Sequence, residues 1–257
     1  MNDLICCQGM RVGHKGLRRV YLCDDVPMES VQAALDAPGD LLKTSPKATV
    51  RRVDGWVLKS SRGVLRQTLR PARHRRAWVA AHRLMQHGVE VPRPVAFVER
   101  RLLGLVFERT MVAQYLEGYR DVEVFLQALA RHGAGQDTVA LFLRGLADAV
   151  NRLTDAGACH ADLSGKNIYT REGTRFVFID LDAVELGRTY TREMRMKNHV
   201  QLYDSFCDTL SDTMLVPFIQ RMIPEGEDPR VWLPAVRKGQ RERRKRLEAR
   251  RERQARR

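Results

Sequence analysis

His160-Ala-Asp-Leu-Ser-Gly-Lys-Asn-Ile-Tyr-Thr-Arg-Glu-Gly-Thr-Arg-Phe-Val-Phe-Ile-Asp-Leu-Asp182 sets three oxygen-bearing side chains, Asp162, Asn167 and Asp180, in a frame that is otherwise apolar and strand-like. Ile168 to Thr170 and Arg175 to Ile179 read as two short strands joined by a turn that contains Gly173. A hairpin of that kind is expected to bring Asp180 back beside Asn167. A surface aspartate and a capping asparagine on a loop would account for the first two residues, but not for an aspartate placed at hairpin distance from them.

The spacing suits movement of a γ-phosphoryl group. That chemistry needs a carboxylate to orient the attacking hydroxyl and accept its proton, and oxygen ligands to hold Mg²⁺ against the phosphates of a nucleotide. Asp162 has the position of the first, and Asn167 and Asp180 have the positions of the second. Lys166 has two readings, neutralising phosphate charge in the transition state or standing as a solvated loop lysine. Ser164-Gly165-Lys166 is not a P-loop, because position 160, where that motif needs glycine, is His. Cys159 and His160 are sequence neighbours whose side chains tend to point apart, so Cys159 is assigned to the core and His160 to ordering the loop.

These residues resemble the protein-kinase-like superfamily. His160-Ala-Asp-Leu-x-x-x-Asn167 is similar to its catalytic loop, and Ile179-Asp-Leu-Asp182 stands where the metal-binding Asp-Phe-Gly is found. Aspartate in place of that glycine, with the upstream Gly88-Val-Glu-Val-Pro-Arg-Pro-Val95, resembles the bacterial lipopolysaccharide-core kinases of the Kdo kinase and heptose kinase type. The resemblance implies an α+β, bilobal fold with a small β-rich N-lobe and a larger, mainly helical C-lobe. It implies ATP and Mg²⁺ as cofactors, and a lipid A-core glycolipid as the acceptor of phosphate on a Kdo or heptose hydroxyl. A kinase of proteins or small metabolites shares the same window, and a non-catalytic nucleotide or nucleic-acid binding protein is the further alternative.

Within that family pattern, Asp54-Gly-Trp-Val-Leu-Lys59 reads as a turn into a strand, and Lys59 is expected to reach the α- and β-phosphates. Leu41 to Val50 lies where a glycine-rich phosphate cover is expected but contains no glycine. Lys43, Ser45 and Lys47 would meet phosphates there through side chains, or the segment is a polar β-turn. The helix predicted from Ala72 to His87 should carry a glutamate for Lys59, and Ala77 stands in its place. Glu99 or Glu108 could substitute, the phosphates alone could hold the lysine, or the register could differ by a turn. Asp182 is left to metal binding or to shaping its loop. Ala161 stands where regulated protein kinases carry an arginine for an activation-loop phosphate, which argues against that form of switching.

At 257 residues and 44% hydrophobic content the chain can bury a sizeable core. No stretch approaches the ~20 apolar residues that cross a bilayer, and the N-terminal residues lack the order of a signal peptide. A cytoplasmic protein, peripheral at the inner membrane, is expected. Five cysteines without a Cys-x-x-Cys pair point to thiols. Net charge is +14, of which residues 237–257 supply +9 through twelve Lys or Arg against three Glu. That tail has high helix propensity but almost no apolar face except Leu247, so it is expected to remain outside the core. An anionic membrane surface is its expected partner, and nucleic acid is the alternative. The expected organisation is an N-terminal extension over 1–36, an N-lobe over 37–112, a C-lobe over 113–236 and the basic tail over 237–257.

Overall fold

The computed structural model describes residues 10–46, 48–63, 73–187 and 190–255. The chain divides into two compact units, one of residues 1–118 with 180–184, the other of residues 119–179 with 185–257. No helix among the described residues is long and apolar enough to cross a membrane.

The first unit is built on an antiparallel sheet of β1 (Met10–Lys15), β2 (Arg18–Cys23), β3 (Asp40–Thr44), β4 (Thr49–Val53), β5 (Trp56–Arg62), β6 (Pro94–Leu102) and β7 (Leu105–Gln114). Its order is β1-β2-β6-β7-β5-β4-β3. Strand β2 pairs with β6, and its Val20 and Leu22 are fully buried, so the first 36 residues contribute two strands and α1 (Met28–Asp36) to this unit. Asp54 and Gly55 form the β4–β5 turn with φ of 45° and 78°, the left-handed pair that a two-residue hairpin requires. A second such turn joins β6 to β7 at Leu103 and Gly104, with φ of 48° and 79°. Leu103 is therefore a loop tip and 93% exposed.

Helix α2 (Arg73–Gln86) is strongly polar, yet Ala77, Trp78, Ala81 and Leu84 form a buried stripe at helical spacing, and the helix packs on β6 and β7. Burial of an aromatic of that size contributes roughly 1.5–3 kcal/mol, and the arginines, alanines, leucine and methionine around it are good intrinsic helix formers. His74 and His82 lie on this helix. Burial pushes His74 down to about 4, against a partly opposing pull from Asp182, and burial alone pushes His82 down to about 4. Both rings are neutral in the folded protein at pH 6 and would take up protons on unfolding. Stability should therefore fall as pH drops below 6.5, by about 2 kcal/mol for the buried His74 between pH 7 and pH 5. Urea unfolding at the two pH values checks this, and His74→Leu should remove its share of the slope.

The second unit contains β8 (Arg120–Asp121), α3 (Val122–Arg131), α4 (Gln136–Asp155), β9 (Ala158–His160), β10 (Ile168–Thr170), β11 (Val177–Phe178), α5 (Arg192–Phe206), α6 (Asp212–Arg221) and α7 (Pro229–Ala255). Asp121 caps α3 by accepting from Val124 N at 2.9 Å. The expected hairpin is present, with Ile168 opposite Phe178 and Tyr169 opposite Val177. Its apolar frame joins the core through Phe176, Phe178, Leu146 and Leu153, each almost wholly buried. Cys23, Cys159 and Cys207 are thiols, whereas Cys6 and Cys7 lie outside the described residues.

The tail stays mostly exposed, as expected, but it is tied to its own unit by charge. Helix α7 begins before the basic run, buries Trp232, Val236 and Gln240, and packs along α5. Asp204 accepts from Gln240 Nε2 (3.1 Å), Arg243 Nε (3.0 Å) and Arg244 Nε (2.6 Å). Asp208 takes a further two hydrogen bonds from Arg244, and Asp212 accepts from Arg237 at 2.8 Å. Charge pairing to α5 and to the start of α6 replaces the missing apolar face. Removing residues 237–257 would thus dismantle part of this unit as well as removing charge.

Candidate active site

The residues singled out in the sequence fall into two groups, one within each unit. In the second unit Asp162 follows the buried strand β9. His160 is fully buried; its Nδ1 accepts from the amide of Asp162 (3.2 Å), so Nε2 carries the hydrogen that reaches the carbonyl of Ile179 at 3.0 Å. The imidazole therefore ties the loop to the end of the hairpin, and both nitrogens are used in doing so. Asn167 Nδ2 donates to the Asp162 carbonyl (2.8 Å) and to Asp162 Oδ2 (3.2 Å), while Gln201 Nε2 donates to Asp162 Oδ1 (3.2 Å). Gln201 is 3% exposed, and its Oε1 accepts from Leu163 N. An exposed carboxylate is thus held on both oxygens by amides. The Ile179 amide donates to the Asn167 carbonyl at 2.9 Å, which closes the hairpin as the sequence suggested.

Gly165 opens the 3-10 turn Gly165–Asn167, and a Cβ there would lie 2.6 Å from Glu123 Cγ. Its amide donates to Ser205 Oγ at 2.9 Å. Only glycine lets the turn seat against α3 and α5 in this way. Burial pushes the Glu123 carboxyl up, opposed by Ser205 and by the neighbouring Lys166, whose own side chain is exposed.

In the first unit Lys59 lies on β5 and meets two carboxylates. Its Nζ donates to Asp180 Oδ1 at 2.7 Å and to Asp182 Oδ1 and Oδ2 at 2.9 and 2.8 Å. Burial alone would push the ammonium down, but Asp182 and then Asp180 hold it above the ordinary lysine value. Asp180 has φ of 56°, the left-handed region that aspartate tolerates better than most residues. The turn Leu181–Ala183 packs against α2, where the buried His74 adjoins Lys59 and Asp182.

The acid expected on α2 is absent, and Ala77 is buried. Glu99 does not substitute: it is 2% exposed and is taken by Arg109 Nε (2.9 Å) and by Arg101. Glu108 accepts from Arg62. Lys59 is partnered instead by Asp180 and by Asp182, the latter left by the sequence without a definite role.

Lys43 and Lys59 are both register partners of Val50, one on each side, so they share a face of the sheet two strand spacings, roughly 10 Å, apart. Ser45 closes its own β-turn with Ala48 through both its amide and its hydroxyl. Lys47 lies outside the described residues.

Among the described residues no cluster of three or more His, Cys, Asp or Glu side chains could enclose a metal ion. Mg²⁺ does not need one, since it is typically held by one or two carboxylates together with phosphates and water. Asn167 fits such a donor set: its Nδ2 is committed to Asp162, which leaves the amide oxygen as a hard ligand.

A sequence model described as the lipopolysaccharide kinase (Kdo/WaaP) family matches residues 50–220. Among solved structures, WaaP in complex with acyl carrier protein is similar with a TM-score of 0.65 at 21% identity, over 84% of this chain and 91% of that one. A glucosamine kinase has a TM-score of 0.46 at 14% identity, over 90% of this chain and 79% of its own. WbdD has a TM-score of 0.46 at 15% identity, over 77% of this chain and 44% of its own. No curated protein sequence matches the chain. The expected α+β, protein-kinase-like fold is borne out.

Proposed function

Because this chain belongs to the lipopolysaccharide kinase (Kdo/WaaP) family, we propose that it transfers the γ-phosphoryl group of ATP to a hydroxyl of an inner-core sugar, Kdo or heptose. It is a kinase, and its family acts on lipopolysaccharide. The observation that carries the finer reading is Asp162, an exposed carboxylate whose two oxygens are fixed by Gln201 and Asn167 on a loop anchored through His160. Held in this way, it can orient a sugar hydroxyl and take its proton without reorganising.

Lys59 is assigned to the α- and β-phosphates, with Lys43 on the same face as a second cation for the nucleotide. Lys166 is assigned to neutralising charge on the transferred group. Asn167 and Asp180 would hold Mg²⁺, which supplies neutralisation of the phosphate oxygens when bound. Asp182 grips Lys59 with both oxygens, so Asp180 can turn to the metal without releasing the lysine. The acceptor is a membrane glycolipid, so the enzyme would work at the cytoplasmic face of the inner membrane, where basic residues of α7 favour an anionic surface.

The test supplies [γ-³²P]ATP and Mg²⁺ with Kdo-lipid A, heptosylated core and a generic protein as acceptors. Label should enter a core sugar. Label in the protein acceptor alone would overturn the reading.

A further inference from the structure

Helices α5 and α7 leave a cleft of about 590 Å³ between them, within the range of small-ligand sites. All of it belongs to the second unit. Gly239 sets how near the helices come, since a Cβ there would lie 2.7 Å from Val200 Cγ2. Part of the lining is apolar, with Met196 and Val200 from α5 and Leu247 from α7. The rest is largely cationic: Lys197 stands one turn after Glu193, and Arg246 and Arg250 stand four residues apart on the facing helix. Arg243, also in the wall, is neutralised by Asp204, and Arg192 by Glu227. Lys197, Arg246 and Arg250 have no carboxylate among their described hydrogen bonds or ion pairs, and Glu193 is the one acid in the lining.

Gln201, the buried amide that holds Asp162 Oδ1 at 3.2 Å, also lines the cleft. A molecule in this cleft therefore lies one side chain from the carboxylate assigned to the acceptor hydroxyl. Unpaired cations beside apolar side chains in one lining match an amphiphile that carries phosphate or carboxylate groups beside hydrocarbon.

We propose that this α5–α7 cleft is the acceptor subsite, in which Lys197, Arg246 and Arg250 bind the anionic groups of the glycolipid and place its sugar hydroxyl at Asp162. This rests on the kinase reading above. It gives the outer half of the basic helix a definite task, recognition of acceptor anions, whereas the inner half holds α7 to α5.

The test is Arg246→Gln with Arg250→Gln in the full-length protein, compared with wild type and with the double lysine variant. Neither arginine pairs with a described acid, so folding should survive, which a thermal melt checks. Two readouts are taken: KM for Kdo-lipid A in mixed micelles with KM for ATP measured alongside, and binding of the same micelles without nucleotide. The glutamine variant should raise the acceptor KM about 10-fold or more while the ATP KM stays within about twofold, and lysine should restore most of the loss. An unchanged acceptor KM in a wild-type enzyme that phosphorylates the glycolipid would overturn the cleft but leave the kinase reading standing. No phosphorylation of Kdo-lipid A or of heptosylated core by wild type, with micelle binding still lost in the glutamine variant, would overturn the inner-core acceptor reading and keep the cleft as a glycolipid-binding site. Equal micelle binding by both proteins sinks the cleft. So does finding that phosphatidylglycerol vesicles or single-stranded RNA bind as tightly as the glycolipid with the same dependence on these arginines.

Discussion

Asp162→Asn should yield a folded protein that still binds nucleotide but transfers phosphate about 10³-fold more slowly, the middle of the range for a lost general base. Asparagine keeps one acceptor oxygen, so Gln201 Nε2 retains its partner while the new NH₂ faces the NH₂ of Asn167. That mismatch costs about 1 kcal/mol, too little to unfold the unit. The loss should fall on kcat, with KM for ATP near wild type, since Asp162 makes no contact assigned to the nucleotide. Single-turnover transfer to Kdo-lipid A, with nucleotide affinity measured separately, checks both parts. A kcat within tenfold of wild type would remove Asp162 from the chemistry. His160→Asn probes the same loop from beneath. Its ring links the amide of Asp162 to the carbonyl of Ile179, so its loss should loosen the aspartate rather than abolish proton transfer.

The window from His160 to Asp182 was legible because its information is local. The hairpin needs only a glycine turn and two short apolar runs, and the Asp54-Gly55 turn needs only residues that accept left-handed backbone. The turn at Leu103 is hard to read because it sits in an apolar run, Leu102-Leu-Gly-Leu105, where hydrophobicity has no period; Gly104 alone marks it. Strand β1 was invisible for a related reason. It is an edge strand with a half-exposed face, and its sequence, Met-Arg-Val-Gly-His-Lys, has few apolar residues. The tail could not be read in isolation, since what binds it is the row Asp204, Asp208 and Asp212 on and beside α5. Glu99 looked available because its arginine partners come from its own strand and the next one. Asp182 was the residue most undervalued. It pairs with a lysine 123 positions away, and no local pattern reports a contact of that separation.

That contact predicts a phenotype distinct from loss of either neighbour. Lys59 is 26% exposed at its side chain, and burial disfavours its charge, so the two aspartates are what keep it an ammonium. Asp182→Asn removes the larger of the two favourable charges and leaves Asp180 as sole counter-ion. Lysine must be charged to hold phosphate, so the alkaline limb of the kcat/KM profile should move to lower pH. Asp180, now needed by the lysine, should also be a poorer ligand for Mg²⁺, and the metal concentration for half-maximal activity should rise. Together these effects should lower kcat/KM for ATP by about 10²-fold, in keeping with breaking one side of a partly buried ionic cluster. Asp180→Asn should differ in kind. Asp182 still grips Lys59 through both oxygens, so the alkaline limb should stay near its wild-type position while dependence on Mg²⁺ weakens or turnover fails. The discriminating measurement is the pair of pH and Mg²⁺ profiles in the two variants. Identical profiles would mean that the aspartates act as one undivided cluster. A wild-type alkaline limb in Asp182→Asn would mean that Asp182 does not take the part of the glutamate that α2 lacks.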